Sequence, residues 1–187
     1  MEEELKNTLK VLLKGGTILY PTDTIWGIGC DATNAKAVNK IFTIKNRAET
    51  KSMIILLADF DQLQHYVKEI PPIAKDLIQS IDKPLTIIYN SAKNLAPNLI
   101  AKDGSIAIRI VKHDFCRSLI QLLGKPIVST SANFSGEESP HFFSHIKTGV
   151  KAKVNYIVNL EQADKQVKMA STIIKLEKSG KYTIIRE

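Results

Sequence analysis

The 187-residue sequence predicts an α/β domain of the α+β-like kind, a mixed β-sheet flanked by helices. Three observations predict it. Apolar residues at helical spacing and short β-branched runs both recur along the chain. The two kinds of segment do not alternate strictly, as a regular doubly wound fold would require. No internal repeat, low-complexity tract or linker interrupts the chain, so residues 1–187 are expected to form a single domain.

The elements follow in order. Leu5, Leu9, Leu12 and Leu13 lie on one helical face that Gly15-Gly16 stops. Thr17 to Tyr20 reads as a strand cut by Pro21. Asn34 can cap a second helix carrying Val38, Ile41 and Phe42. Met53 to Ala58 is a continuous apolar run, the pattern of a buried strand. Helices are expected over Asp61–Val67 and Ile73–Ile81, and strands over Leu85–Tyr89 and Ile106–Val111. Asp114 is expected to cap a helix with Phe115, Leu119 and Leu122 turned inward. Ile127-Val128 is a short strand, and Val154–Val158, Thr172–Leu176 and Tyr182–Ile185 are expected to be strands as well.

Composition narrows the function classes. Hydrophobic residues make up 44%, enough for a core and too much for a disordered tail. The net charge of +7 fits an anionic partner such as a nucleotide, a nucleic acid or another phosphate, and equally a solvated basic face. Cys30 and Cys116 are too few for a disulfide framework or a zinc cluster, which fits a reducing cytoplasm. The opening Met1-Glu-Glu-Glu-Leu5 is acidic where a signal peptide is basic, and no apolar run approaches the ~20 residues of a membrane span. A cytoplasmic protein without a membrane partner is expected.

The common nucleotide and hydrolase motifs are missing. There is no G-x-x-x-x-G-K-[ST], no third glycine after Gly27 and Gly29 at dinucleotide-binding spacing, no G-x-S-x-G and no H-E-x-x-H. His141 and His145 are four apart, as metal ligands can be, but no clear third ligand accompanies them; two surface histidines is the simpler reading.

Four segments carry candidate chemistry. Lys45 and Arg47 stand at i and i+2, pointing the same way if the chain is extended there, and Lys51 adds a third cation. Such a cluster can neutralise a triphosphate, or be a solvated surface. Ser129, Ser131 and Asn133 share a period of two at a strand end, where they can line a phosphate or ribose pocket or serve as a cap or turn. Thr22-Asp23-Thr24 with Trp26-Gly27-Ile28-Gly29 offers hydroxyls, an apolar wall and close backbone approach, although both glycines could serve strand bends. Arg109, inside an apolar strand, either faces solvent on an edge or is fixed in a cleft to hold a carboxylate.

Taken together these segments resemble the YrdC/TsaC family of threonylcarbamoyl-AMP synthases. The family's P-T-[ED]-T-x-[YW]-G-[IL]-G looks like Pro21 to Gly29, and its K-x-R looks like Lys45-Asn46-Arg47. Its P-L-T, A-x-R and S-x-N followed by S-G look like Pro84-Leu85-Thr86, Ala107-Ile108-Arg109, and Ser131-Ala132-Asn133 with Ser135-Gly136. Its S-T-[IV] looks like Ser171-Thr172-Ile173, and its I-[IL]-R like Ile184-Ile185-Arg186. Each motif is short, but the set matches in order over nearly the whole chain.

The resemblance implies a YrdC-like twisted mixed sheet flanked by helices, with a concave, positively charged cleft, in the short single-domain type of the family. It implies a nucleotidyltransferase that takes ATP, L-threonine and bicarbonate, with Mg²⁺ assisting, and gives threonylcarbamoyl-AMP and pyrophosphate. Partner proteins then pass the threonylcarbamoyl group to the adenosine beside the anticodon of tRNA. By resemblance Thr24, Arg109, Ser129 and Ser171 hold threonine, and Lys45, Arg47, Lys51, Ser131, Asn133, Ser139 and Arg186 hold the nucleotide. The chain departs from the family pattern at Leu56, where many members have His, at Lys83, at Trp26 and at Lys168-Met-Ala170. These departures bear on the threonine contacts rather than on the reaction.

No covalent nucleophile is expected. A carbamate oxygen attacking the α-phosphate needs positioning and charge neutralisation, which cations and hydroxyls in one cleft supply. Two rival readings remain. An RNA-binding module could use the same cations, though Tyr and Phe are not interleaved with Lys and Arg in the loops as a stacking platform would want. A carbamoyl-transfer domain of hydrogenase maturation proteins would come with acylphosphatase and zinc-finger segments, for which this chain has neither the length nor the cysteines.

Overall fold

The computed structural model describes residues 1–46 and 53–187. The opening helix α1 (Glu2–Leu13) has acidic residues in its first turn, where they complement the helix dipole. Strands β1 (Ile18–Tyr20) and β2 (Gly27–Gly29) form an antiparallel pair. Helix α2 (Ala35–Lys45) starts where Asn34 Oδ1 accepts hydrogen bonds from the Lys36 and Ala37 amides. It is followed by β3 (Ile54–Leu57), short helix α3 (Leu63–Tyr66), α4 (Ile73–Ser80) and β4 (Leu85–Tyr89). Then come β5 (Ile106–Ile110), α5 (Asp114–Leu123), β6 (Ile127–Ser131), α6 (Thr148–Lys151), β7 (Tyr156–Ile157), β8 (Thr172–Leu176) and β9 (Tyr182–Arg186).

Among the described residues nine strands form one sheet in the order β7-β1-β2-β6-β3-β5-β4-β8-β9. It is mixed, as expected: β3 with β5, β4 with β8 and β1 with β7 run parallel, and the other neighbours run antiparallel. Side chains alternate across it. Ile28, Ile55, Leu57, Ile87, Ile108 and Val128 face the core that contains Val38, Ile41 and Phe42 of α2. Ile18, Tyr20, Leu56 and Ile127 face the opposite core, formed with Leu5 and Leu12 of α1 and Phe115, Leu119 and Ile120 of α5. Among the described residues no helix is long and apolar enough to cross a membrane.

Five expectations about elements need correction. The helix over Asp61–Val67 shrinks to α3, and the strand over Val154–Val158 shrinks to β7. Asp114 does not cap α5; it is its first residue, and the N-cap position belongs to His113 without a side-chain bond. The inward face of α5 is Phe115, Cys116, Leu119, Ile120 and Leu123, while Leu122 is exposed, because the apolar stripe includes i+4 steps that put Leu123 rather than Leu122 over the sheet. The chain at Lys45-Asn46 is not extended: Lys45 ends α2, and Asn46 is left-handed at φ 50°.

Candidate active site

The face of the sheet that carries Arg109 is covered by α1 and α5 only in part. The remainder is a concave cavity of about 210 Å³. Its floor comes from β2, β3, β5 and β6. Register puts Ile54 opposite both Ala107 and Ser129, and Leu56 opposite Arg109. Gly27 pairs with Ser131, and a methyl group at Gly27 would lie 3.2 Å from the Ser129 hydroxyl, so glycine here leaves that hydroxyl room. The walls are Thr24 and Trp26 from the loop between β1 and β2, Ser139 after β6, and Ser171 and Arg186 from the β8–β9 edge. Trp26 packs on Phe143 with ring centroids 4.8 Å apart.

Thr24, Arg109, Ser129, Ser131, Ser139, Ser171 and Arg186 therefore share one cavity. Arg109 is not an edge residue in solvent; it is 3% exposed on a strand flanked by β3 and β4. Its Nη2 is ion-paired with Asp23 Oδ1 at 3.1 Å without the geometry of a hydrogen bond, and among the described residues neither Nε nor Nη2 has a hydrogen-bond partner. Such donors are costly to leave unmade and suit an anionic ligand. Arg186 donates from Nε and Nη2 to the Ser171 carbonyl, at 3.2 and 2.7 Å. Burial and the nearby Arg109 charge lower the Arg186 pKa from its ordinary value, as two guanidiniums facing one cavity require.

Lys45 and Asn133 are not among the residues lining this cavity. Lys45 is buried and its ammonium donates to the carbonyls of Ser131 and Asn133 at 2.5 and 2.7 Å and to Asn133 Oδ1 at 3.2 Å. Among these described contacts it clamps the chain leaving β6. Asn133 also donates from Nδ2 to the Glu137 carbonyl, and it borders a neighbouring hollow with Ser139, His141 and His145. Arg47 and Lys51 lie outside the described residues. Leu56 is fully buried in the core beneath α5.

Each expected threonine contact has a buried or half-buried polar neighbour to which the sequence assigned no positioning role. Thr22 stands 3.0 Å from Thr24, hydroxyl to hydroxyl, and Thr86 stands 2.7 Å from Ser171 in the same way. Asp23 pairs with Arg109 and accepts from the Lys112 amide. Tyr20 lies behind Ser129 and donates to the Val128 carbonyl. Thr22 lies two residues from Thr24 in the sequence, whereas Thr86, Asp23 and Tyr20 meet their partners only through strand register and loop folding.

Among the described residues no group of three or more His, Cys, Asp or Glu converges as a metal site would need. The polar part of the cavity lining is hydroxyls, backbone and two guanidiniums, set among apolar side chains such as Trp26, Met53 and Ile173. That donor set suits carboxylate and phosphate oxygens.

The Sua5/YciO/YrdC family model, described as "Telomere recombination", matches residues 10–187. The chain belongs to this family. It is 34% identical over 151 residues to a threonylcarbamoyl-AMP synthase of Pseudoalteromonas translucida, covering 79% of this chain and 81% of that one. The crystal structure of P. abyssi Sua5 complexed with L-threonine superposes with a TM-score of 0.83 at 28% identity, covering 94% of this chain. The chain spans about half, 52%, of that Sua5 chain. E. coli YciO shares the fold with a TM-score of 0.86 at 23% identity, over 100% of this chain and 90% of that one. The expected YrdC-like mixed α/β architecture is thereby found in this member of the Sua5/YciO/YrdC family.

Proposed function

We propose that this chain is an L-threonylcarbamoyladenylate synthase, a nucleotidyltransferase acting in the cytoplasm. The observation that carries the reading is Arg109: a buried guanidinium, ion-paired with Asp23 on one side and with no hydrogen-bond partner for Nε or Nη2 among the described residues, facing a cavity whose polar lining is mostly hydroxyls. Its planar fork fits the threonine carboxylate. Thr24, Ser129 and Ser171 surround the amino acid. Arg186, Ser131 and Ser139 extend the same cavity toward the nucleotide, joined by Asn133 and, in the family pattern, by Lys45, Arg47 and Lys51.

In this reading the threonine amine and bicarbonate give a carbamate with loss of water. A carbamate oxygen then attacks the α-phosphorus of ATP, the bond to the β-phosphate oxygen breaks, and pyrophosphate leaves. The protein holds the reactants and neutralises charge rather than forming a covalent intermediate. A partly enclosed cavity also keeps water from the labile mixed anhydride. The described residues do not build an Mg²⁺ site of their own; the ion fits this reading as part of the nucleotide substrate, held by the phosphates. The product passes to proteins that transfer the threonylcarbamoyl group to tRNA.

Pyrophosphate release measured with ATP and Mg²⁺ tests the reading. Release is expected only when threonine and bicarbonate are both present. Serine should turn over less well, since one lost methyl contact weakens binding by about 1–3 kcal/mol. Equal release without threonine, or tight RNA binding with no pyrophosphate release, would reject the reading.

A further inference from the structure

The hydroxyls of Ser171 and Thr24 face the same cavity, and each touches a second hydroxyl buried behind it. Counting protons shows that the two are set in opposite directions. Thr86 is fully buried on β4, directly opposite Arg109 in the strand register. The hydroxyl partner found for it is Ser171 Oγ at 2.7 Å. A buried hydroxyl proton left without an acceptor is costly, so the Thr86 proton goes to Ser171. Arg186 Nη2 approaches the same Ser171 oxygen at 3.4 Å, as a second donor. Ser171 Oγ is thereby an acceptor on its inner side, and its own proton is left for the cavity.

Thr22 produces the reverse. Its proton is used on the Ile25 carbonyl at 2.8 Å, and its oxygen accepts from the Thr24 amide at 3.0 Å. In the remaining contact, 3.0 Å from hydroxyl to hydroxyl, Thr22 can only accept, so Thr24 must donate. The Thr24 proton therefore points inward, and its lone pairs face the cavity.

We propose that Thr86 and Thr22 are positioning residues that give the cavity one outward donor, Ser171, and one outward acceptor, Thr24. The pair matches the two ends of an α-amino acid. Ser171 and Arg109 donate to the carboxylate, and Thr24 accepts from the amine. This gives a physical reason for choosing a substrate that carries both groups. The proposal rests on threonine being the substrate, and the polarity of the two hydroxyls is the new element.

The test uses Thr86→Val, which keeps the shape and removes the hydroxyl, and Thr86→Ser, which restores the hydroxyl. Steady-state kinetics with threonine and with ATP are compared with the wild type. Thr86→Val should raise the threonine KM about tenfold, the loss expected for one misdirected hydrogen bond, and leave the ATP KM nearly unchanged. Thr86→Ser should recover most of the loss. In a Ser171→Ala background Thr86→Val should add nothing, because Thr86 acts through Ser171. Thr22→Val and Thr22→Ser should behave in the same way relative to Thr24→Val. A threonine KM unchanged in Thr86→Val, an equal defect in Thr86→Ser, or additive losses in the double variant would overturn the proposal. If Thr86→Val does not fold, Thr86→Ser and Ser171→Ala still decide it: Thr86→Ser must match the wild type while Ser171→Ala must not. Wild-type pyrophosphate release without need of threonine would instead reject the functional reading.

Discussion

Asp23 and Arg109 meet across 3.1 Å although one sits in a loop after β1 and the other in the middle of β5. The Asp23 carboxylate is itself fixed by the Lys112 amide at 3.0 Å, so it holds the guanidinium from one side and leaves the rest of the fork for a ligand. Arg109→Lys keeps the charge and loses the fork. The threonine KM should rise by about 10- to 100-fold, the range for a lost charge-assisted pair of bonds, with the ATP KM nearly unchanged. Threonine amide, which lacks the carboxylate charge, should lose less. Unaltered threonine kinetics in Arg109→Lys would show that the guanidinium does not touch the carboxylate.

Lys45 should behave as a structural residue as much as a nucleotide ligand. Its ammonium holds the carbonyls of Ser131 and Asn133, so Lys45→Met removes a buried donor from both, although the Ser131 carbonyl keeps the Asn133 amide. We expect destabilisation of about 2–3 kcal/mol, seen as a Tm lower by roughly 4–12 °C, together with weaker ATP use. A variant with wild-type Tm and an isolated ATP defect would assign Lys45 to the nucleotide alone.

Gly29 is required by space. A methyl group there would lie 2.4 Å from the Val128 carbonyl and 2.7 Å from the Tyr20 ring, which crosses over β2 to bond Val128. Gly29→Ala should cost about 1–3 kcal/mol through overpacking and displace the ring behind Ser129. Gly124 is required by conformation instead: it ends α5 at φ +68° with open space around it. Gly124→Ala should cost about 1 kcal/mol and leave the threonine KM alone. Chemical denaturation and threonine kinetics on both variants separate the two cases.

Glu161 supplies a pH dependence. Burial alone would raise its pKa, but bonds from Lys168 and His113 at 2.8 Å outweigh that and hold it below the ordinary value. A carboxylate with a depressed folded pKa contributes stability above its unfolded pKa and loses it as pH falls through the folded value. Thermal melts taken from neutral pH down into the carboxylate range should therefore show a smaller acid-induced loss in Glu161→Gln than in the wild type. Parallel losses would remove Glu161 from the acid response.

Much of the fold was legible because its signals are local. Leu85–Tyr89 and Thr172–Leu176 have the expected bounds, and the Asn34 cap is where its side-chain chemistry puts it. The β2 strand was not legible as a strand, since Gly27 and Gly29 are poor strand formers and are there for space. Of the cavity-lining residues, Arg109, Ser171 and Arg186 stand in short ordered motifs and Ser129 in the strand-end segment of period two. Thr22 was visible as a hydroxyl but not as the partner of Thr24, and Asp23 and Thr86 lay inside those motifs without a visible role because their partners come from other segments.

The place of β6 between β2 and β3 has a consequence for how the enzyme comes into being. β2 and β3 do not pair with each other; each pairs with β6. Without β6 the sheet divides into a β7–β1–β2 piece and a β3–β5–β4–β8–β9 piece, with Thr24 and Gly27 adjoining one and Arg109 on the other. Pairing between segments distant in the chain is slow. Pairing of Ile127–Ser131 with both thus closes the seam and sets Ser129 beside both halves of the cavity at once. A half-folded chain has no weak version of this pocket, and competence to bind should appear in the same kinetic phase as closure of the sheet.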